Sequence, residues 1–179
     1  MRPPGHHATG DRAMGFCYLN SIAIAALDAL TRGPTRVAIW DFDAHHGNGT
    51  ESICEGNDRI RYVSFHQHPA YPGTGSLSRA NIFNFPVSAE TTGAQQMEVL
   101  RRSWKCVEEF WPDLILVSAG FDAYEGDPLV SLALTRDNFG TLGEWLSQTG
   151  VPCAAILEGG YSSDLPLLID AFLCGWERH

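Results

Sequence analysis

The sequence predicts an α/β domain in three layers, a mostly parallel sheet covered by helices on both faces. Three observations predict it. Short, β-rich apolar runs alternate along the chain with segments of helix length. The runs are short and mostly apolar and end at polar loops, as expected of parallel strands buried on both faces. Each is followed by a polar or glycine-rich loop, the place where such sheets carry their chemistry. The 179 residues suffice for one domain, 1–179, that buries roughly 70% of the surface its unfolded form would expose.

The first element is an apolar-rich helix from Cys17 to Leu30, stopped by the breaker Arg32-Gly33-Pro34. Arg36 to Trp40 reads as a short strand, and the polar loop Asp41 to Thr50 follows it at once. A second strand runs from Ile60 to Phe65, ahead of the loop His66 to Gly75. Gly73 to Ala94 reads as a long irregular connection with a weak strand signal at Phe83 and Phe85. A helix from Ala94 to Phe110 leads to the strand Leu114 to Ser118 and the loop Ala119 to Pro128. A helix from Arg136 to Thr149, the strand Ala154 to Leu157, the loop Glu158 to Ser162 and a helix from Leu165 to Leu173 complete the pattern.

Composition narrows the function classes. Twelve Lys and Arg against twenty-one Asp and Glu give a formal charge of -9, which repels phosphate backbones and argues against direct nucleic-acid binding. The start of the chain lacks the apolar core of a secretory signal. No stretch approaches the ~18 apolar residues of a membrane span, so no membrane partner is expected and the location is read as cytoplasmic. Five cysteines with no Cys-x-x-Cys pair suggest neither a disulfide framework nor a thiolate metal site.

Asp43 and His45 stand two apart at a strand end, so an extended backbone sends both to one face. A carboxylate and an imidazole suit zinc, and a catalytic site needs a third protein ligand and one open position. Asp122 is the best candidate for it, because it follows its strand as Asp43 follows Trp40. Singly, the same residues read as solvated loop acids and a satisfied histidine. His6 and His7 could serve as base and acid, or be no more than an exposed tail. Asp41 and Asn48 could orient histidine rings or simply make turns. The glycine turn Glu158-Gly159-Gly160 could aim the Tyr161 hydroxyl at a developing oxyanion, or leave Tyr161 as a surface residue.

Six motifs, in order, closely resemble the histone deacetylase family, with its bacterial acetoin-utilisation and acetylpolyamine amidohydrolase relatives. They are Pro3-Pro4-Gly5-His6-His7-Ala8, Gly15-Phe16-Cys17-Tyr18-Leu19-Asn20, Asp41 through Thr50, Tyr71-Pro72-Gly73-Thr74-Gly75, Ala119-Gly120-Phe121-Asp122-Ala123 and Glu158-Gly159-Gly160-Tyr161. Phe65-His66-Gln67-His68-Pro69 and Gly126-Asp127-Pro128-Leu129 bring the chain nearest to class II and bacterial members. The resemblance implies an arginase/deacetylase-like fold and zinc-dependent hydrolysis of an acetylated amine, an acetyl-lysine or acetylpolyamine, by metal-activated water. It implies zinc on Asp43, His45 and Asp122, catalysis by His6, His7 and Tyr161, and Asp41 and Asn48 as histidine partners. Phe16 and Tyr71 match tunnel walls. Asp41, Asp43, His45, Ser64 and the Phe65 carbonyl match the ligands of a structural K+ or Na+.

The sheet also resembles that of the arginases, whose Asp-x-His-x-Asp element bridges two metals. Gly47 stands where the last carboxylate would be, which favours one metal. Family members are longer, and their amino-terminal portion has no counterpart here. That predicts an open sheet edge covered by homo-oligomerisation. The alternative reading is a truncated, inactive metal-binding scaffold or oligomerising fragment.

Overall fold

A computed structural model describes residues 3–177; positions 1, 2, 178 and 179 lie outside the described residues. Five parallel strands form one sheet in the order β3-β2-β1-β4-β5. They are β1 (Val37–Asp41), β2 (Ile60–Gln67), β3 (Ile82–Val87), β4 (Leu114–Ala119) and β5 (Cys153–Leu157). The helices are α1 (Ser21–Arg32), α2 (Asn48–Cys54), α3 (Gly93–Glu108), α4 (Arg136–Gln148) and α5 (Leu165–Trp176). Among the described residues no helix is long and apolar enough to cross a membrane.

The period-2 geometry of the strands sorts their side chains into two cores. Ala38, Trp40, Val63, Phe65 and Val117 join Leu100 and Trp104 of α3, Leu142 and Trp145 of α4 and Phe172 of α5. The intervening Val37, Ile39, Ile60, Tyr62 and Leu116 pack with Ile22, Ala23 and Ala26 of α1. Each large side chain so buried contributes roughly 1.5–3 kcal/mol. The three expected layers are therefore present, with the central β1 covered on both faces.

Three expectations need correction. The first helix begins at Ser21 rather than Cys17, because Phe16 has a φ of 64° and Asn20 caps the helix, its Oδ1 accepting the Ala23 N–H at 3.0 Å. Residues 82–87 form a true strand rather than part of an irregular connection. They alternate the buried Ile82 and Asn84 with the half-buried Phe83 and Phe85, and the edge position tolerates Pro86. Asn48 to Cys54 is helical although it overlaps the expected loop. Asn48, Gly49 and Thr50 are poor helix formers, and packing supplies what propensity does not, since Thr50 and Cys54 are fully buried.

Register prepares the site. Asp41 closes β1 opposite Ser64 of β2 on one side and Ser118 of β4 on the other. The polar residues beyond it leave the sheet at its carboxyl end, where the loops after β1, β2, β4 and β5 converge.

Candidate metal centre and cleft

After β1 the backbone folds over its own carboxylates. The Asp43 N–H donates to Asp41 Oδ1 at 3.1 Å, and the His45 N–H donates to Asp43 Oδ1 at 2.9 Å. Asp122, delivered by β4, accepts the Ala44 N–H at 2.8 Å, and the Gly159 N–H beyond β5 donates to Asp43 Oδ2 at 2.7 Å. Gly159 lies so close to Asp43 and Asp122 that a Cβ there would collide with both carboxylates.

Asp43, His45 and Asp122 each offer one atom to a cluster in which all lie within 4.8 Å of one another. His45 Nδ1 is 2.8 Å from Asp122 Oδ2 and 3.2 Å from Asp43 Oδ1. Both carboxylates are buried, and the ion partners found for them among the described residues are histidines. Burial and the Asp43 carboxylate push Asp122 up, while burial of His45 is outweighed by Asp122 and Asp43, which raise it to about 10. Two buried carboxylates around one imidazole are a charge arrangement that a divalent cation would relieve. Three N/O donors with one open side suit zinc.

The histidine pair approaches from the other direction. Glu158 Oε2 accepts the N–H of Gly5 at 2.6 Å and of His6 at 3.2 Å, and Ser118 donates its hydroxyl to Glu158 Oε1 at 3.2 Å. The rings of His6 and His7 then lie 4.1 Å apart with different partners. His6 Nδ1 meets Asp41 Oδ2 at 3.0 Å, and His7 Nδ1 meets Asn48 Oδ1 at 2.9 Å. Burial opposes a charge on His6, but Asp43 and Asp41 overcome it and hold its pKa well above the usual range. Burial and the neighbouring His6 charge push His7 down to about 3. The two histidines are thus shifted in opposite directions, His6 up by its carboxylate neighbours and His7 down by burial and the His6 charge.

A cleft of about 360 Å³ opens above this cluster, lined by His7, Gly15, Phe16, His45, Tyr71, Leu129 and Tyr161. Phe16 and Tyr161 meet edge-on at 6.1 Å, and Tyr71 meets His7 edge-on at 5.0 Å. Both aromatic walls are largely exposed at its mouth. Of the remaining expected residues, Ser64 lies beside Asp41 with its hydroxyl 2.9 Å from His66 Nδ1, and the Phe65 side chain is in the core.

Four further residues shape this region without having been assigned a role from sequence. Tyr62 donates its hydroxyl to Asp41, Glu158 carries the histidine loop, Asp127 accepts the Tyr161 N–H, and Glu51 holds His46. The local signal for Glu158 was its position at the end of a strand, and for Asp127 the Gly-Asp-Pro turn. Neither announces which distant amides it will meet.

Comparison with known proteins places these observations in a family. Residues 1–170 match the family model for the histone deacetylase domain. The Probable deacetylase of Methanothermobacter thermautotrophicus is 42% identical over 177 residues, 91% of this chain and 53% of that protein. An acetylpolyamine amidohydrolase of Burkholderia pseudomallei is 39% identical over 171 residues, 89% of this chain and 50% of that protein. The crystal structure of acetylpolyamine aminohydrolase from Burkholderia pseudomallei superposes with a TM-score of 0.91 at 36% identity, over 98% of this chain and 54% of that one. The chain spans about half the length of the curated relatives it matches.

Proposed function

The chain belongs to the histone deacetylase family, and we propose that its cleft hydrolyses an acetylated amine, either an acetyl-lysine side chain or an acetylpolyamine, with the help of zinc. The observation that carries this reading is convergence: the Asp43–His45–Asp122 cluster, two histidines of opposite protonation preference and Tyr161 gather at one cleft. Zinc held by the cluster supplies Lewis-acid polarisation of the amide and a water acidic enough to attack near neutral pH.

The protein's own groups perform the remaining steps. His7, kept unprotonated, accepts the proton of the attacking water and passes it to the departing amine. His6, kept protonated against Asp41, adds positive charge beside the developing oxyanion. Tyr161 donates its hydroxyl to that oxyanion. Phe16 and Tyr71 flank the apolar stem of the substrate. Asp41, Asp43, His45, Ser64 and the Phe65 carbonyl form the proposed seat of a structural K+ or Na+.

One metal is favoured over the arginase-like pair. At Gly47 a Cβ would strike the Tyr62 hydroxyl and Asp41 Oδ2, so the position cannot offer a second bridging carboxylate without rearrangement. The scaffold alternative draws support from the free side of β5, which pairs with β4 alone among the described strands. Its Ala154 and Ala155 are exposed, as are Leu167 and Leu173 of α5. Association of two copies over that edge, and a cytoplasmic setting, belong to the same proposal.

The deciding experiment assays zinc-loaded protein on an acetyl-lysine peptide and an acetylpolyamine, with Asp43→Ala as control. Turnover that vanishes in the control supports the hydrolase. Stoichiometric zinc with no turnover of either substrate favours the scaffold, and sedimentation then tests whether it self-associates.

A further inference from the structure

Two loops contribute to the cleft wall: the one after β5 carries Tyr161, and the one after β4 carries Leu129 and, two residues before it, Asp127. A single side chain ties them. Asp127 is 8% exposed; its Oδ2 accepts the Tyr161 N–H at 2.8 Å and its Oδ1 accepts the Leu129 N–H at 2.9 Å. Both bonds are charge-assisted, roughly twice as strong as neutral ones.

The neighbouring anchors show why the bond to Tyr161 counts. Gly159 is fixed by its N–H on Asp43 and by its carbonyl, which accepts the Phe121 N–H at 3.0 Å. Asp164 is fixed by the Tyr124 hydroxyl at 3.0 Å. Between these points lies Gly160, with a φ of 122° that L side chains rarely adopt. Asp127 grips the backbone directly after this glycine, and by the same carboxylate it grips the Leu129 wall.

We propose that Asp127 is a positioning residue, which by accepting both amides fixes the Tyr161 hydroxyl and the Leu129 wall relative to each other in the cleft lining. Its catalytic consequence rests on the hydrolase reading above; the mechanical one does not. Asp127 itself need not touch substrate.

Amide hydrogen exchange on the full chain reads the mechanical part without turnover. In Asp127→Ala the Tyr161 and Leu129 amides should exchange at least about tenfold faster, the factor expected for losing a charged acceptor, while Ile39 and Val117 in the sheet stay protected. Should the sheet also lose protection, Asp127→Asn decides, since it keeps the volume but only one acceptor oxygen. At least one of the two amides must then be released in an intact sheet. Unchanged protection at both amides overturns the proposal, as does loss of sheet protection in Asp127→Asn.

Kinetics read the other part. With zinc bound, Asp127→Asn should lower kcat about tenfold in the natural background and cause no further loss in a Tyr161→Phe background, because the two act as a unit. Equal losses in both backgrounds overturn the positioning role. A natural chain without turnover is a failure of the hydrolase reading, and the exchange result still stands.

Discussion

Tyr62 donates its hydroxyl to Asp41 Oδ2 at 2.8 Å, the same oxygen that receives His6 Nδ1 at 3.0 Å. Burial and the neighbouring Asp41 charge raise the phenol's pKa well above its usual value, so it remains a donor throughout the working pH range. Asp41 is therefore oriented from the floor of the site before His6 reaches it. Tyr62→Phe should lower stability by about 1–3 kcal/mol, the cost of a buried acceptor left short of a donor. Urea unfolding checks this; an unchanged midpoint would mean that Asp41 finds a replacement donor.

Burial and the neighbouring His6 charge outweigh the pull toward protonation exerted on His7 by the amide at position 48. Replacing it by Asn48→Asp puts a carboxylate against His7 Nδ1, which favours the imidazolium and raises the pKa from about 3. Because the base must be unprotonated, the acid limb of the kcat/KM profile should move upward in pH. A profile that superposes on that of the natural protein excludes His7 as the base.

At the proposed zinc site the metal would compete with a proton. Before a metal binds, burial works against a charge on His45, but Asp122 and Asp43 raise its pKa to about 10. The ligand nitrogen must be deprotonated, so binding expels a proton and affinity should tighten about tenfold per pH unit on the acid side of that value. Calorimetry in buffers of different ionisation enthalpy measures the release. Affinity independent of pH between about pH 6 and pH 8 would contradict the ligand assignment.

Tyr161→Phe should retain zinc and lose turnover by ~10²–10³, the usual consequence of removing one oxyanion donor. Metal content and single-turnover rates separate the two effects. Undiminished turnover removes Tyr161 from the chemistry.

Glu51 joins α2 to the strand edge: it accepts from Arg79 at 2.7 Å and Asn84 at 2.9 Å and lies 2.9 Å from His46 Nε2. Burial alone would raise its pKa, but His46, Asn84 and Arg79 hold it down to about 2 from an ordinary 4.5. A depressed folded-state value contributes stability above the unfolded pKa and loses it as pH falls toward the folded one. Glu51→Gln should therefore cost about 2 kcal/mol near neutrality and little once the pH is near 2. Denaturant midpoints across that range test it, and a pH-independent difference would sink the argument.

The central strands were legible because burial on both faces leaves β1 and β4 almost wholly apolar up to their last residues, and β2 rich in Ile, Val, Tyr and Phe. Asp43 and His45 were legible as candidates from their spacing of two after a strand, although β1 ends at Asp41 and both lie in the loop beyond it. β3 was obscured by Asn84 and Pro86, which suit an edge strand but weaken its signature. α2 was obscured by its own first turn, since Asn48, Gly49 and Thr50 are helical only in this packed setting. A strand end and a Gly-Asp-Pro turn mark Glu158 and Asp127 in the sequence, but not the partners they meet. Each is a buried carboxylate that accepts a backbone amide of a distant loop, and an amide carries no information in its residue type.

The bond between Glu158 and the Gly5 amide spans 153 residues, and this imposes an order on synthesis. Asp43 and His45 leave the ribosome long before β5, and the histidine loop has nothing to rest on until Glu158 emerges. Closing so large a loop is slow and entropically costly until the intervening strands have paired. Full assembly of the cleft is thus a late event in folding.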